Sequence, residues 1–514
     1  MDTGDGEQGA VIQALSDPAT YPEPAAVERI DTHSAHIFLA GSRAYKLKRA
    51  VRYPFLDYST LDRRQHACEA EVRLNRRTAP TLYERTAKVT REPSGSFAVD
   101  GTGPVVDWLV VMRRFDDQAL LDRVAADGGF TRELAIRLAD AIASFHAHAM
   151  PTPHHGGTDG MRDVVDDNVR ALAAAPAVVP PDRVQALAGA WAQALARHAD
   201  LLETRRAGGF VRQCHGDLHL RNIVLLDGRP TLFDAIEFND SFACIDVWYD
   251  LAFLLMDMER RGLALEANAL FNQYLLRTSD VGGLALLPFF QGCRAAIRAK
   301  TSLASAALET DPARRLQHES RAREYLELAE RSGAEPQPAR LVAIGGYSGT
   351  GKSTVAARLA PLLGAMPGAV VLRSDVLRKI LRHHEPEERL GQEAYTPEVT
   401  RTVYHALGVR AADLLRAGAS VVVDATFLSP EARAAIADVA SHAGAGFAGL
   451  WLEAPAAALA GRLRARTGDA SDATADVLAE QIAHDPGVVS WQRLDASRGV
   501  NAVVEAARTA LKLR

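Results

Sequence analysis

Cysteine is scarce: Cys68, Cys214, Cys244 and Cys293 are the four in 514 residues, far apart and with no Cys-x-x-Cys pair. That scarcity excludes a disulfide framework and a thiolate zinc site, and it suits a reducing compartment. Long apolar runs are missing as well, with no stretch approaching the roughly 18 residues a membrane helix needs. The opening Met-Asp-Thr-Gly-Asp-Gly-Glu lacks the basic start and apolar core of a secretory leader. A cytoplasmic protein without a membrane partner is expected. Blocks of Lys and Arg are absent too, and a net charge of −5 is small for this length, so the electrostatic footprint of a nucleic-acid-binding surface is missing.

What is present is ordinary for a globular chain, 47% apolar and 24% charged. Its length exceeds one core and predicts roughly two to four domains.

The strongest local pattern is the stretch 341–356, where an apolar run rich in Leu, Val and Ile meets Gly346-x-x-x-x-Gly351-Lys352-Ser353 and then a helical composition. Strand, glycine loop and helix form the setting of a phosphate-binding loop. Backbone N–H groups from Gly346 through Thr354, including Ser348, Gly349 and Thr350, can turn inward around a triphosphate at a helix N-terminus. Lys352 can reach the β and γ phosphates, and Ser353 can place its hydroxyl on Mg²⁺. Downstream, strands and helices alternate, which predicts an α/β domain with a parallel, doubly wound sheet. Asp424 ends an apolar strand, where a carboxylate would hold Mg²⁺ or its water. Asp375 and Arg378 follow the second strand, at the carboxyl edge where such sheets bind ligands; Asp375 can act as base on an acceptor hydroxyl or cap the helix, and Arg378 can hold an acceptor phosphate or carboxylate.

A second pattern precedes it in the chain. His215-Gly216-Asp217-Leu218-His219-Leu220-Arg221-Asn222 lies ahead of two short apolar strands joined by Asp227-Gly228, and Asp234 closes the second. Phosphoryl transfer needs an Asp to orient the attacking hydroxyl, with an Asn and a second Asp on Mg²⁺. Asp217 and Asn222 have the five-residue offset of the kinase catalytic loop, and Asp234 falls where the metal-binding Asp would. Upstream, 36–48 reads as a β-hairpin turning at Gly41-Ser42. Alternation puts Lys46 and Lys48 on one face of its second strand, and either Glu69 or Glu71 of a helix over 60–79 can meet them. Two solvated lysines on an exposed strand is the plain alternative. Asp246 and Asp250, four apart on one helical face, are expected to orient the loop holding His215 and His219. Arg294, Arg298 and Lys300 are expected on a solvated basic face.

The set His215-Gly216-Asp217-Leu218-His219-x-x-Asn222 with Asp234 resembles the motif of aminoglycoside and choline phosphotransferases, which have an α+β bilobed protein-kinase-like fold acting on small molecules. That resemblance implies Asp217 as catalytic base, Asn222 and Asp234 as metal ligands, and Lys46 on the nucleotide phosphates with Glu71 as helix partner; Lys48 and Glu69 remain alternatives. The segment 340–514 resembles the P-loop kinase group that includes polynucleotide kinase, gluconate kinase and zeta toxins. There Arg462 and Arg466 fall in a segment resembling the arginine-bearing lid that neutralises charge on the transferring phosphate.

Together the halves resemble bacterial fusions of an aminoglycoside-phosphotransferase-like domain with a P-loop kinase-like ATPase domain. The implied layout is a partly flexible segment 1–24, a kinase-like domain 25–332 with its N-lobe ending near 112, a linker 333–339, and a P-loop domain 340–514. The expected activity is phosphorylation of a hydroxyl on a small polar metabolite, dependent on ATP and Mg²⁺, at two nucleotide sites. Two other readings stay open: a P-loop ATPase or kinase regulated by a ligand-binding kinase-like domain, and a nucleic-acid end kinase, for which no basic channel is evident.

Overall fold

The computed structural model describes residues 4–53, 55–333, 338–385, 388–464 and 471–513. They form two compact units. One comprises the residues up to Asp257 together with Cys293–Arg323; the other comprises Met258–Gly292 and the residues from Glu324 onward. Among the described residues no helix is long and apolar enough to cross a membrane.

The first unit has the bilobed kinase-like fold. Its small lobe is a six-stranded antiparallel sheet in the spatial order Val27–Asp31, Ala35–Ala40, Arg43–Lys48, Val105–Arg113, Tyr83–Arg91, Phe97–Val99. Period-two alternation along Arg43–Lys48 sorts its side chains between two layers. Tyr45 and Leu47 pack with Phe38, Leu109 and Val111 in a layer that includes Val11 and Leu15 of the helix Gly4–Leu15. Ala44 packs on the other face with Cys68 and Val72 of the helix Leu61–Asn75, so Lys46 and Lys48 look toward that helix.

Within the segment 1–24 a helix runs over Gly4–Leu15. Polar Gln8 is buried: its carboxamide donates to Lys48 O and Asp107 Oδ2, both at 2.9 Å, and accepts from Ala50 N–H at 2.7 Å. Those bonds replace the solvent that its polarity called for.

The large lobe is mostly helical, built on Arg132–His148, Gly157–Ala173, Pro181–Ala207 and Val247–Arg260. The hairpin Ile223–Leu226 with Arg229–Leu232 turns at Asp227-Gly228, both at positive φ (49° and 76°), as a tight turn of that sequence requires.

The second unit is an α/β domain around a five-stranded, all-parallel sheet in the order Val370–Arg373, Val421–Asp424, Arg340–Gly346, Gly446–Glu453, Gln492–Asp495. The central strand is Arg340–Gly346, its apolar residues buried on both faces, as parallel sheets demand. Val342 and Ile344 pack with Val355 and Leu359 of the helix Lys352–Leu359 and with Val503 and Ala507 of the helix Val500–Leu511. A helix from before the P-loop strand, Ala264–Thr278, belongs to this unit: Asn268 Nδ2 donates to Pro367 O and Ala369 O at 2.9 and 3.0 Å.

Candidate active sites

In the first unit the small lobe delivers Lys46, and the loop after Leu232 delivers Asp234. Lys46 Nζ lies 2.6 Å from Asp234 Oδ1 and 2.8 Å from Glu71 Oε1. Lys48 is sealed behind it, paired with Glu71 Oε2 and Glu237 Oε1. Glu69 sits on the exposed side of the helix, bonded to Gln65 at 2.9 Å, and meets neither lysine. Burial lowers the pKa of Lys46, but the carboxylates of Asp234 and Glu71 outweigh it and raise it well above the lysine range. Burial likewise pushes Glu71 up, and the two ammonium groups overcome it to hold the carboxyl at about 2.

Asp234 adopts a left-handed backbone, φ +62°, which a non-glycine residue holds only when pinned. Its N–H donates to Tyr83 OH at 3.1 Å, Ala235 N–H to Asn75 Oδ1 at 2.8 Å and Ile236 N–H to His215 O at 3.0 Å. Asn222 faces Asp217: its Nδ2 donates to Asp217 O at 3.0 Å and Oδ2 at 2.9 Å, which leaves the carboxamide oxygen as the acceptor on that side chain. That oxygen and the 43% exposed Asp234 carboxylate are hard oxygen donors of the kind Mg²⁺ takes, so the residues fit such an ion. Burial pushes the Asp217 carboxyl up, but His219, with Nε2 at 3.3 Å, Arg298 and His215 hold it far below the usual carboxylate range.

The support beneath this loop departs from expectation in two places. Asp250 does orient it, accepting from His215 N–H at 3.0 Å and Gly216 N–H at 2.9 Å, with His146 Nε2 at 3.1 Å. Asp246 does not: it forms a two-pronged pair with Arg205 at 2.7 and 3.0 Å and accepts from Trp248 N–H. Nor is Arg294 solvated. It is buried, lies over the rings of Tyr249 and Phe253, and donates to Gly216 O at 3.1 Å, because the apolar residues around it on Leu287–Leu308 turn that face inward. Lys300 pairs with Asp167. Asp257, accepting from Leu220 N–H at 3.2 Å, and Glu237 carried no sequence signal, since both act through residues distant in the chain.

In the second unit the glycine loop leaves the central strand with Gly346, Gly349 and Gly351 at φ +136°, +84° and +88°. A Cβ on Gly346 would lie 2.5 Å from Leu452 O, so only glycine fits. Lys352 Nζ donates to Gly346 O and Tyr347 O at 2.9 and 3.0 Å, and Thr350 Oγ1 to Tyr347 O at 2.8 Å. Gln481, unsignalled in the sequence, accepts from Ser348 N–H at 2.9 Å.

A cleft of about 670 Å³ opens beside this loop, lined by Lys352, Ser353 and Thr354 at one end and Asp375, Arg378 and Asp424 further along. Arg462 reaches it from the helix Ala456–Arg464 and donates to Ala496 O at 2.8 Å; Arg466 lies outside the described residues. Asp375 sits inside the first turn of the helix Ser374–Leu381, whose cap position is Arg373, so it does not serve as the cap. Burial first, then the Asp424 carboxylate, push its pKa up. Asp424 itself lies 3.5 Å from Arg373 Nε. The Ser353 hydroxyl and the Asp424 carboxylate are again donors that suit Mg²⁺. Arg378 is buried under the Tyr395 ring, donates to Ala394 O at 2.7 Å, and has no carboxylate partner among the described residues.

Residues 100–287 match a phosphotransferase enzyme family, and residues 341–485 match an AAA domain. Over 478 residues the chain is 30% identical to uncharacterized protein Rv2004c of Mycobacterium tuberculosis, a match spanning 91% of this chain and 92% of that one. Uncharacterized protein Mb2027c of Mycobacterium bovis matches to the same extent. The chain belongs to the family of these mycobacterial proteins, and it joins a phosphotransferase-family domain to a P-loop AAA-type domain. Among solved structures, a gluconokinase from Sinorhizobium meliloti 1021 aligns at 25% identity over 34% of this chain and 92% of its own, with a TM-score of 0.26. A choline/ethanolamine kinase family protein from Mesorhizobium loti aligns at 14% identity over 63% of this chain and 99% of its own, with a TM-score of 0.38.

Proposed function

We propose that the protein is an ATP- and Mg²⁺-dependent phosphotransferase with two nucleotide sites, each phosphorylating a hydroxyl of a small polar acceptor in the cytoplasm. The observation that carries the reading is the meeting of Lys46 with Asp234, 188 residues apart, on a segment tied to the Asp217–Asn222 turn by the Phe233 N–H bond to Asn222 O at 3.0 Å. Charged groups of both signs converge there, as they do at functional sites.

Bound nucleotide and Mg²⁺ would supply the phosphoryl group and screen its charge. In the first site Asn222 and Asp234 would hold the metal and Lys46, steadied by Glu71, would hold phosphate oxygens. Asp217 would orient the acceptor hydroxyl and accept its hydrogen bond. Its depressed pKa makes it a weak base, which suits a loose transition state where positioning matters more than early proton removal. In the second site the N–H groups of the glycine loop, Lys352 and Ser353 would hold the triphosphate, with Asp424 on the metal side. Asp375, a stronger base, would face the acceptor hydroxyl. Arg378, a buried cation with no carboxylate partner among the described residues, favours an acceptor bearing phosphate or carboxylate. Arg462 would face the transferring group.

The test is ³¹P or mass-spectrometric detection of phosphorylated product from a metabolite pool, using wild type, Asp217→Ala and Lys352→Ala. A product lost only with Asp217→Ala and another lost only with Lys352→Ala is the expected result. Phosphate release with no phosphorylated product would overturn the reading in favour of a regulated ATPase.

A further inference from the structure

Five charged side chains form a continuous chain of ion pairs in the first unit, running Asp234, Lys46, Glu71, Lys48, Glu237. Lys46 and Lys48 stand two residues apart on one strand face, and Asp234 and Glu237 stand three apart on the opposing turn. Glu71 lies between the lysines, with Oε1 on Lys46 at 2.8 Å and Oε2 on Lys48. Tyr58 OH donates to Glu237 Oε1 at 2.5 Å and lies 3.4 Å from Lys48 Nζ. Its two ends differ. The Asp234 side chain is 43% exposed, whereas Glu237 and Lys48 are 5% and 2% exposed. Three carboxylates oppose two ammonium groups, so the surplus negative charge falls on the open end, at Asp234.

We infer that Glu237 is a positioning residue for Asp234, with Lys48 as its anchor; the inference rests on the first site taking a metal–nucleotide complex. Lys46 and Asp234 pair with each other, and each must release the other to meet a phosphate or a metal. The Lys48–Glu237 contact need not change, because it is sealed from solvent and shared with Tyr58. It holds the downstream end of a turn whose first residue has a strained, left-handed backbone, while the Tyr83 and Asn75 bonds hold the upstream end. Neutralising Glu237 also leaves Lys48 with Glu71 as its remaining carboxylate, which draws Glu71 away from Lys46. The first effect loosens the turn that carries Asp234, and the second leaves Asp234 as the carboxylate on Lys46; both take the Asp234 carboxylate away from a metal.

Glu237→Gln tests this in full-length protein carrying Lys352→Ala, which silences the P-loop site. Mn²⁺ binding in the presence of ATP, followed by electron paramagnetic resonance, should weaken by about tenfold or more, the usual cost of losing a group that orients a metal ligand. ATP binding without metal should stay within about twofold. Hydrogen exchange of the 234–237 amides in ligand-free protein should quicken. Tyr58→Phe keeps both charges and should move the same quantities less, which serves if Glu237→Gln is insoluble. Unchanged Mn²⁺ affinity and unchanged exchange in a folded variant would overturn the inference. Absence of metal-dependent ATP binding in the Lys352→Ala parent would sink the first-site reading and the inference with it.

Discussion

Val371 N–H donates to Asn272 Oδ1 at 2.7 Å, so the outer strand of the P-loop sheet gives a hydrogen bond to a helix that lies earlier in the chain than the P-loop itself. The same side chain donates to Ala369 O at 3.3 Å, and Asn268 serves Pro367 O and Ala369 O one turn away. Asn272 thus occupies an N–H of an edge strand that would otherwise recruit foreign chains, and both asparagines hold the residues leading into it.

Asn272→Ala should therefore destabilise the P-loop unit by about 1–2 kcal/mol, the cost of leaving a strand N–H with no protein partner. Chemical denaturation of the variant gives that number. A fragment beginning at residue 340 lacks the helix and should be less stable than the same unit in the full chain, with a greater tendency to associate.

Glycine substitutions should rank by what a Cβ meets. At Gly346 it would sit 2.5 Å from Leu452 O with φ at +136°, whereas at Gly351 nothing lies within 4 Å and only the left-handed φ of +88° is strained. Gly346→Ala should lose more thermal stability than Gly351→Ala and should abolish nucleotide binding at the P-loop. Equal melting temperatures in the two variants would contradict this.

The lysines should separate by role. Lys48→Met leaves the buried Glu237 carboxylate without its ammonium partner and Glu71 with Lys46 alone, which should cost roughly 3–5 kcal/mol. Lys46→Met leaves the partly exposed Asp234 to water and should cost less, yet it should eliminate turnover at the first site. Denaturation midpoints beside single-site activity distinguish them.

Acid limbs of the two activities should differ in position. A carboxylate must be deprotonated to accept a proton, so each activity falls as pH drops through its own pKa. That of Asp217 is depressed, so first-site activity should persist below the ordinary aspartate range of about 3.9 as long as the fold survives. That of Asp375 is raised by burial and by Asp424, so second-site activity should fade at a higher pH. Profiles of kcat/KM for Lys352→Ala and Asp217→Ala proteins, each reporting the other site, would show coincident limbs if this is mistaken.

Sequence legibility followed sequence distance. The glycine loop at 346–353, the Asp217–Asn222 turn and the Asp227-Gly228 hairpin could all be read, because their geometry is set within a few residues by φ requirements and hydrogen-bond spacing. Alternation placed Lys46 and Lys48 on one face but could not choose between them, since the difference is whether Asp234 or Glu237, some 190 residues away, lies opposite. Glu69 and Glu71 differ by two residues, about 200° around a helix, and only the packed helix says which faces the lysines. Asp246 and Asp250 shared a helical face on paper, but the chain enters that helix as an extended bridge, and Arg205 from another helix claims the first. The strand Gln492–Asp495, polar and four residues long, offered no hydrophobic run to read.

Asn272 and Val371 also impose an order on synthesis. The helix Ala264–Thr278 leaves the ribosome 99 residues before the strand amide it serves, about 5–20 seconds earlier at ordinary elongation rates. Throughout that interval its asparagines and the apolar surface beside them wait without their partner strand, a window in which a chaperone, or a neighbouring nascent chain, competes for the same face.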